Sequence, residues 1–436
     1  MSAAHLLYTS ATWLLTPLAP SILKRRLGQG KEDPVRLPER MGVAQHARPK
    51  GHLVWLHAAS VGEAVSLLTL VDRFTQSRPD LHLLITTGTV TSAQLMTKRL
   101  PDGVIHQFIP LDSPAYVARF LDHWKPDVGL IVESELWPNL ILMAAKRGVK
   151  MGLINARFSQ SSYDGWGKAS GFLKSILTSF ELILAQDADS HARLEARGAR
   201  NVHSVGNLKF DAPTPTASQN DVEVLQKAVA GRPIWLAAST HAGEEEIISQ
   251  AHVLLKKSHP DLLTFLVPRH PERGIEVGDM LDAQGLRVAT RTVSYLPPKL
   301  CDIMMIDTLG ELGLFYALCP IVFVGGSLVP VGGHNFLEAA RLNCALLAGP
   351  HTENFKEVVE ALEAAKAVDI VNDATGLAAR VSALLDDEAQ RTTQADRASR
   401  AAQDLAGVTD KVWAHIVPLL PTEPTSTSSA HTGDQS

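Results

Sequence analysis

From residue 51 onward the chain alternates short apolar runs with longer amphipathic stretches. The runs predict strands at Leu53–His57, Leu81–Thr86, Val104–Ile109, Val128–Val132, Met151–Ile154, Leu182–Ala185 and Val202–Val205. Segments with helical spacing lie between them; in Glu63–Phe74, Val65, Leu68, Val71 and Phe74 recur every three or four positions. Short apolar strands separated by helices predict a parallel, doubly wound sheet. A stretch rich in Pro, Thr and Ser, Asp211–Asn220, then breaks the pattern and predicts a linker over 211–231. After it the alternation restarts with Ile234–Ala238, Leu262–Val267, Arg287–Ala289, Ile303–Ile306, Ile321–Val324, Ala345–Leu347 and Val368–Val371. The expected fold class is therefore α/β. Two Rossmann-like doubly wound domains, 41–210 and 232–420, follow an N-terminal segment, 1–40, and precede a polar Ser/Thr-rich tail, 421–436, expected to be disordered.

The N-terminal segment departs from this pattern. Residues 3–23 are apolar and about as long as a bilayer-spanning helix, roughly 20 residues. Lys24-Arg25-Arg26 follows at once, which is the wrong order for a cleaved signal peptide and predicts that the bulk of the chain stays in the cytoplasm. Pro17 and Pro20 leave a helix lying in the membrane interface, or a buried core helix, as alternatives to a span.

Charge sharpens that picture. The whole chain carries 41 basic and 46 acidic residues, a net of −5, so nothing global points to nucleic acid. Residues 1–50 hold eight Lys/Arg and three Asp/Glu, 8 − 3 = +5, which leaves −10 for the remainder. A basic, apolar N-terminus on an acidic body suggests an anionic membrane surface. Lys24, Arg25, Arg26, Arg36 and Arg40 are candidates for lipid or substrate phosphates, or plain solvated charges. The 436 residues suit two or three domains, since single cores rarely grow beyond about 250–300 residues. Cys301, Cys319 and Cys344 have no C-x-x-C spacing and read as buried free thiols in a reducing compartment.

Candidate chemistry gathers just past the predicted strands, where ligands bind in open α/β sheets. Gly325-Gly326-Ser-Leu-Val-Pro-Val-Gly332-Gly333-His334-Asn335-Phe336-Leu337-Glu338 opens a helix after Ile321–Val324. Such glycines admit a ligand to the backbone and a helix start attracts phosphate, with Glu338 placed for ribose hydroxyls; the alternative is a capping box, Asn335-x-x-Glu338. Neither a G-x-G-x-x-G fingerprint nor a P-loop is present, which argues against a nicotinamide or ATP protein. Pro268-Arg269-His270-Pro271-Glu272-Arg273 presents Arg269 on a rigid loop, and Asp307-Thr308-Leu309-Gly310-Glu311 follows another strand. In the first half, Ser60-Val-Gly62-Glu63 has capping-box spacing at a strand end. Glu133-Ser-Glu135-Leu-Trp137-Pro138 sets two carboxylates at the next one, and Asn155-Ala-Arg157 and Leu208-Lys209-Phe-Asp211 add donors at later ends. Asp187-Ala-Asp189 has the form of a metal-binding D-x-D but reads as a helix cap; no zinc spacing and no nucleophile elbow occur.

Taken together, His57…Ser60-Val-Gly62-Glu63, Glu133-x-Glu135-Leu-Trp-Pro138, Asn155-Ala-Arg157, Leu208-Lys209-Phe-Asp211, Val267-Pro268-Arg269-His-Pro-Glu-Arg273 and Gly332-Gly333-His334-Asn335-x-Leu337-Glu338 resemble the Kdo (3-deoxy-D-manno-octulosonic acid) transferases of lipopolysaccharide assembly, from about Leu6 to about Leu420. The resemblance implies a GT-B fold, two Rossmann-like domains facing a central cleft. It implies CMP-Kdo as donor, the tetraacylated disaccharide precursor of lipid A as acceptor, inner membrane lipids as surroundings and the cytoplasmic face of the inner membrane as location. It implies Glu63 as general base toward the 6′-hydroxyl, with Glu133 and Lys209 stabilising an inverting transition state. It implies nucleotide contacts from Pro268 and Arg269, from Leu309 to Glu311, and from Asn335 to Glu338. Ser60, Gly62, Glu135, Arg157, Gly332, Gly333 and His334 are additional candidates. No metal and no cofactor are expected, because fixed cationic groups and helix-start N–H groups can take the charge of a single leaving phosphate.

Three other readings stand beside this one. Another membrane-associated GT-B transferase or epimerase would differ in its nucleotide, and a non-catalytic nucleotide sensor would keep the fold without the chemistry. A dinucleotide oxidoreductase stands third, without its fingerprint.

Overall fold

The computed structural model describes residues 3–212 and 214–422. They divide into two units, the first holding residues up to 212 together with 407–422, the second residues 214–406.

Seven strands build the first unit's sheet: β1 Leu53–Ala58, β2 His82–Thr87, β3 Ile105–Phe108, β4 Val128–Val132, β5 Lys150–Ala156, β6 Leu182–Ala185 and β7 Val202–Ser204. All pairings are parallel and the order is β3-β2-β1-β4-β5-β6-β7. The chain moves outward from β1 to β3, then returns to lay β4 on the other flank of β1. The gap between the loops after β1 and β4 is the topological switch point, where open α/β sheets bind ligands. The strands are short and apolar on both faces because helices cover both; Trp55, Phe120, Trp124, Ile131 and Leu153 fill one of the two layers.

The second unit repeats the design with β8 Ile234–Thr240, β9 Leu263–Pro268, β10 Val288–Thr290, β11 Ile303–Met305, β12 Ile321–Val324, β13 Ala345–Ala348 and β14 Val368–Ile370. Its order is β10-β11-β9-β8-β12-β13-β14, again parallel throughout, which sets the switch point between β8 and β12. All fourteen expected strands form. Trp235, Ile248, Leu266, Phe323 and Leu347 anchor its core.

Two boundaries differ from expectation. The linker ends earlier than 231, because helix Gln219–Ala228 buries Val222 and Leu225, apolar residues one turn apart. The helix Val408–Ile416, expected in the second domain, belongs to the first unit. Val408, Val412 and Ile416 are buried, Trp413 packs edge-on against Phe74 at 4.9 Å, and the Asp211 carboxylate accepts from the backbone N–H of Gly407 at 2.8 Å. The tail expected over 421–436 lies, from 423 on, outside the described residues.

The N-terminal segment folds as Ala3–Leu15, a 3₁₀ turn Thr16–Leu18 and Ala19–Gly28, with the prolines accommodated in first-turn positions that need no N–H. A hydroxyl stripe fastens it to the first unit: Tyr8 donates to Asp112 at 2.9 Å, Thr9 to Asn139 at 2.9 Å, and Thr16 and Ser113 share a 2.6 Å bond. Leu6, Leu7, Trp13, Leu14, Leu15, Leu18 and Ile22 remain exposed. The length and composition of 4–28 are those of a helix able to cross a membrane.

The basic residues behind it divide. Lys24 and Arg25 are exposed, whereas Arg26 and Arg40 flank the buried Glu32 at 2.6 and 3.4 Å, and Arg36 pairs with the buried Glu39 at 2.9 Å. The reading of these five as phosphate contacts or solvated charges is corrected for Arg26, Arg36 and Arg40, whose ion pairs fix this segment at the end of β3. Glu39 accepts from the N–H of Phe108, and Arg40 donates to the carbonyl of Ile109.

Candidate active site

In the first unit the loop after β1 turns into helix Val61–Ser77. Ser60 is its N-cap, and its hydroxyl accepts from the Glu63 N–H at 3.3 Å. Glu63 returns both carboxylate oxygens, accepting from the Ser60 hydroxyl at 2.7 Å and the Ala59 N–H at 2.8 Å. The capping box is therefore real, and it also pins Glu63 at the switch point. Burial pushes the Glu63 carboxyl above its ordinary range, against the pull of those two hydrogen bonds; Glu133 adds to the rise and Lys209 opposes it.

Glu133 leaves β4 with a left-handed backbone, φ +58°, its N–H held by the carbonyl of Ile154 at 3.0 Å. Such a conformation is costly for a residue with a side chain and concentrates at functional sites. It points the carboxylate to Lys209, whose Nζ lies 2.6 Å away. Lys209 in turn passes over Gly62, where a Cβ would sit 4.0 Å from Nζ. Asn155, at the end of β5 with φ +51°, fixes the 3₁₀ turn Leu208–Asp211 by accepting from the Leu208 N–H at 2.9 Å. Glu135 joins the cluster. Burial raises its carboxyl, the Trp137 indole N–H binds it at 2.6 Å, and the charges of Glu63 and Glu133 act on it. Ser60, Gly62, Glu63, Glu133, Glu135 and Lys209 thus come together, while Arg157 is exposed just past β5. Asp187 caps its helix by accepting from Ser190 N–H at 2.6 Å, and Asp189 pairs with Arg193 at 3.0 Å.

In the second unit the glycine run has a structural explanation that the sequence reading lacked. The fully buried carboxylate of Glu244 accepts from the N–H groups of Gly326, Ser327 and Leu328, at 2.7, 3.0 and 2.9 Å, and from His241 at 2.9 Å. These donors are not open to a phosphate. A Cβ at Gly325 would fall 2.6 Å from the Ser239 carbonyl oxygen, and one at Gly332, φ +102°, 2.5 Å from the Asn354 amide. The glycines let the loops after β8 and β12 close on each other.

What faces outward is a basic and imidazole cluster. His241 and His334 meet Nε2 to Nε2 at 2.8 Å, one donating to the other, and His270 stands edge-on to His241 at 5.9 Å. Burial pushes His334 down to about 4 and lowers His241. Arg269 is exposed after the buried Pro268, and its positive field reaches both His334 and Glu338. Asn335 caps the short helix Phe336–Arg341, accepting from Leu337 N–H at 3.1 Å and donating to Glu338 at 3.0 Å; burial raises the Glu338 carboxyl. Phe336 and Leu337 are core side chains with no exposed surface. After β11, the Leu309–Glu311 loop is tied down by Glu311, which pairs with Arg291 at 2.6 Å and accepts from Thr308. Leu309 is left 81% exposed, and Gly310 turns at φ +87°.

The chain matches the family model for 3-deoxy-D-manno-octulosonic-acid transferase (kdotransferase) over residues 35–212. The 3-deoxy-D-manno-octulosonic acid transferase of Haemophilus influenzae is 34% identical over 418 residues, 95% of this chain and 98% of that one. This chain belongs to the Kdo transferase family. The probable mitochondrial 3-deoxy-D-manno-octulosonic acid transferase of Arabidopsis thaliana is 36% identical over 380 residues, 85% of either chain. Among solved structures, a glycosyltransferase from Rickettsia africae superposes with a TM-score of 0.58 at 14% identity, covering 86% of this chain and 100% of that one. The S. aureus MnaA-UDP co-structure gives 0.57 at 18%, covering 86% and 99%. At those identities the likeness is one of fold, and it is the GT-B fold.

For this Kdo transferase, sequence reasoning passed over His241, Glu244 and Glu245. The signal was present: Thr240-His-Ala-Gly-Glu-Glu245 sets two carboxylates past β8, as Glu133-Ser-Glu135 does past β4. Glu245 is buried, accepts from Thr240 at 3.0 Å and pairs with Arg273 at 2.8 Å, which holds the Arg269–Arg273 loop.

Proposed function

We propose that the protein transfers Kdo from CMP-Kdo to the 6′-hydroxyl of a tetraacylated lipid A precursor, with inversion at the anomeric carbon. Family membership supports the sugar and its transfer. The observation that carries the mechanism is the meeting of Glu63 with Glu133 and Lys209 at the first unit's switch point.

Glu63 acts as the general base. Burial disfavours its charged form, which raises its basicity, and the Ser60 and Ala59 bonds fix its direction. As the acceptor oxygen attacks the anomeric carbon, its proton passes to Glu63. The bond from that carbon to the CMP oxygen breaks, and its electron pair leaves with the phosphate. A positioned base contributes about 10²–10⁴-fold. Glu133 offsets the positive character at the anomeric carbon, and Lys209 offsets the Kdo carboxylate or the phosphate. Arg269 supplies the positive field for the nucleotide on the second unit, with the imidazoles of His270 and His334 beside it as hydrogen-bonding groups and Glu338 toward the ribose. The leaving group is a nucleoside monophosphate, so the reading assigns no step to a metal; activity lost to a chelator and restored by Mg²⁺ would overturn that.

The exposed apolar face of the N-terminal helices supports a lipid acceptor. Their hydroxyl stripe is engaged along the first unit, which favours a helix lying in the cytoplasmic face of the inner membrane over one crossing it. Lys24 and Arg25 would meet anionic headgroups.

The deciding experiment supplies the detergent-solubilised protein with the lipid A precursor and freshly generated CMP-Kdo, with Glu63→Gln in parallel. The expected result is a lipid heavier by one or more Kdo units, absent in the variant. No gain in mass with CMP still bound would replace the acceptor or sugar; no gain and no CMP binding would defeat the reading.

A further inference from the structure

We infer that Trp137 is a stacking platform for a sugar ring of the acceptor, an aromatic subsite beside the three carboxylates of the first unit. The inference rests on the transfer reaction proposed above and extends it.

Of the seven tryptophans, only Trp13 and Trp137 are exposed. Trp13 belongs to the apolar face of the N-terminal helix. Trp137 stands in polar surroundings, 44% exposed, on the loop that follows β4. A single exposed apolar side chain needs no explanation by itself. Trp137 differs because it is held. Its indole N–H donates to the Glu135 carboxylate at 2.6 Å. Its backbone is the N-cap of helix Pro138–Lys146, with Pro138 fixing the first helical position. The hook from Glu133 to Trp137 is tightened by bonds from Leu136 N–H to the Ser134 carbonyl at 2.8 Å and from Trp137 N–H to the Glu135 carbonyl at 3.1 Å. The ring is therefore oriented in advance, and binding against it orders little that is free.

The ring's company suits a sugar. Glu135, which holds the indole, feels the charges of Glu63 and Glu133, so the aromatic face and the reactive carboxylates share one neighbourhood. A pyranose has an apolar face of C–H bonds and a rim of hydroxyls. The indole matches the face and the carboxylates match the rim. Val61, 37% exposed, opens the helix that carries Glu63, on the loop of the strand adjacent to β4. The acceptor is assigned rather than the donor because Glu63, on this same unit, is the group that receives the acceptor's proton.

The test uses the full-length protein and steady-state transfer with each substrate varied in turn. Trp137→Ala should raise the KM for the acceptor, lowering kcat/KM about tenfold, the size of one good stacking contact, with the KM for CMP-Kdo unchanged. Trp137→Phe, which keeps a ring, should recover most of the loss. If Trp137→Ala lowers the melting temperature, Trp137→Leu replaces it, keeping apolar bulk without a ring. An acceptor KM within twofold of wild type overturns the inference, as does a rise confined to the donor. Independently, titration with a deacylated glucosamine disaccharide phosphate should change tryptophan fluorescence in wild type and not in Trp137→Phe; equal changes in both overturn it. That titration reads the subsite even if no Kdo is transferred, so its outcome is distinct from failure of the transfer reading.

Discussion

Lys209 Nζ lies 2.6 Å from Glu133 Oε1, and the contact joins the turn after β7 to the end of β4 directly over the start of the Glu63 helix. About a third of the Lys209 side chain is exposed while Glu133 is largely buried, so water screens the pair in part and its contribution to stability is modest. Its value lies in holding a cation beside two carboxylates. Lys209→Ala and Glu133→Gln should each lower kcat by about 10²–10³-fold, the usual cost of removing one preorganised charge. Thermal unfolding should move by no more than about a few degrees. A variant keeping a tenth or more of wild-type kcat would show that the pair is only structural.

Glu63 titrates above its ordinary value of 4.5 because it is buried. As a base it must be ionised, so activity should fall as pH drops through the raised pKa, with the acid limb of kcat/KM displaced above the usual glutamate range. Stability runs the other way. Below the ordinary value Glu63 is protonated in folded and unfolded chains alike. As pH rises from there through the folded pKa, the unfolded chain releases its proton first and the folded state loses stability. Glu63→Gln lacks this slope. Unfolding temperatures of the two proteins across that interval should converge or cross in the variant's favour as pH rises; parallel curves would mean the pKa is not raised.

The fold was legible because β1 to β14 are nearly continuous apolar runs, the mark of a sheet covered on both faces. Strand order was not, since nothing in the runs says that β11 sits between β9 and β10. Helix Val408–Ile416 carries the same amphipathic pattern whichever unit it covers, and only Asp211 and Phe74 reveal its partner. At the site, residues anchored to strand ends were readable. Residues whose role comes from a distant bond were not: Glu244 looks like an ordinary first-turn acid until the glycine loop closes onto it. Arg36 and Arg40 looked like free basic charges because Glu32 and Glu39, their buried partners, lie between and beside them in the same short segment.

Glu244 answers four N–H groups from two loops, so its loss should be felt in the second unit. Glu244→Ala leaves those buried donors unsatisfied, at about 1–3 kcal/mol for each that finds no water. We expect a large drop in unfolding free energy together with weaker CMP binding, because His241 and His334 lose their setting. Glu338→Ala should weaken CMP binding with the fold retained, since the hydrogen bond it accepts comes from its own cap, Asn335, and ties no second loop. Calorimetry with CMP beside thermal unfolding separates the two: equal stability losses would refute the assignment of Glu244 as the loop's clasp.

The N-terminal helices offer the last test, because their two faces have opposite duties. Leu7 and Leu14 are 72% and 68% exposed, while Tyr8 and Thr9 on the other side hold Asp112 and Asn139. Leu7→Glu with Leu14→Glu should abolish flotation with anionic vesicles and leave the melting temperature unchanged, since neither side chain packs on the protein. Tyr8→Phe removes the hydroxyl from the half-buried Asp112 carboxylate and should lower stability by about 1 kcal/mol without releasing the protein from vesicles. A helix that crossed the bilayer would respond differently. Tyr8, Thr9 and Thr16 would have to leave Asp112, Asn139 and Ser113, and Tyr8→Phe would then ease insertion rather than destabilise the fold. Protease added outside sealed vesicles would also find the N-terminus protected in a span and accessible in an in-plane helix, the outcome expected here.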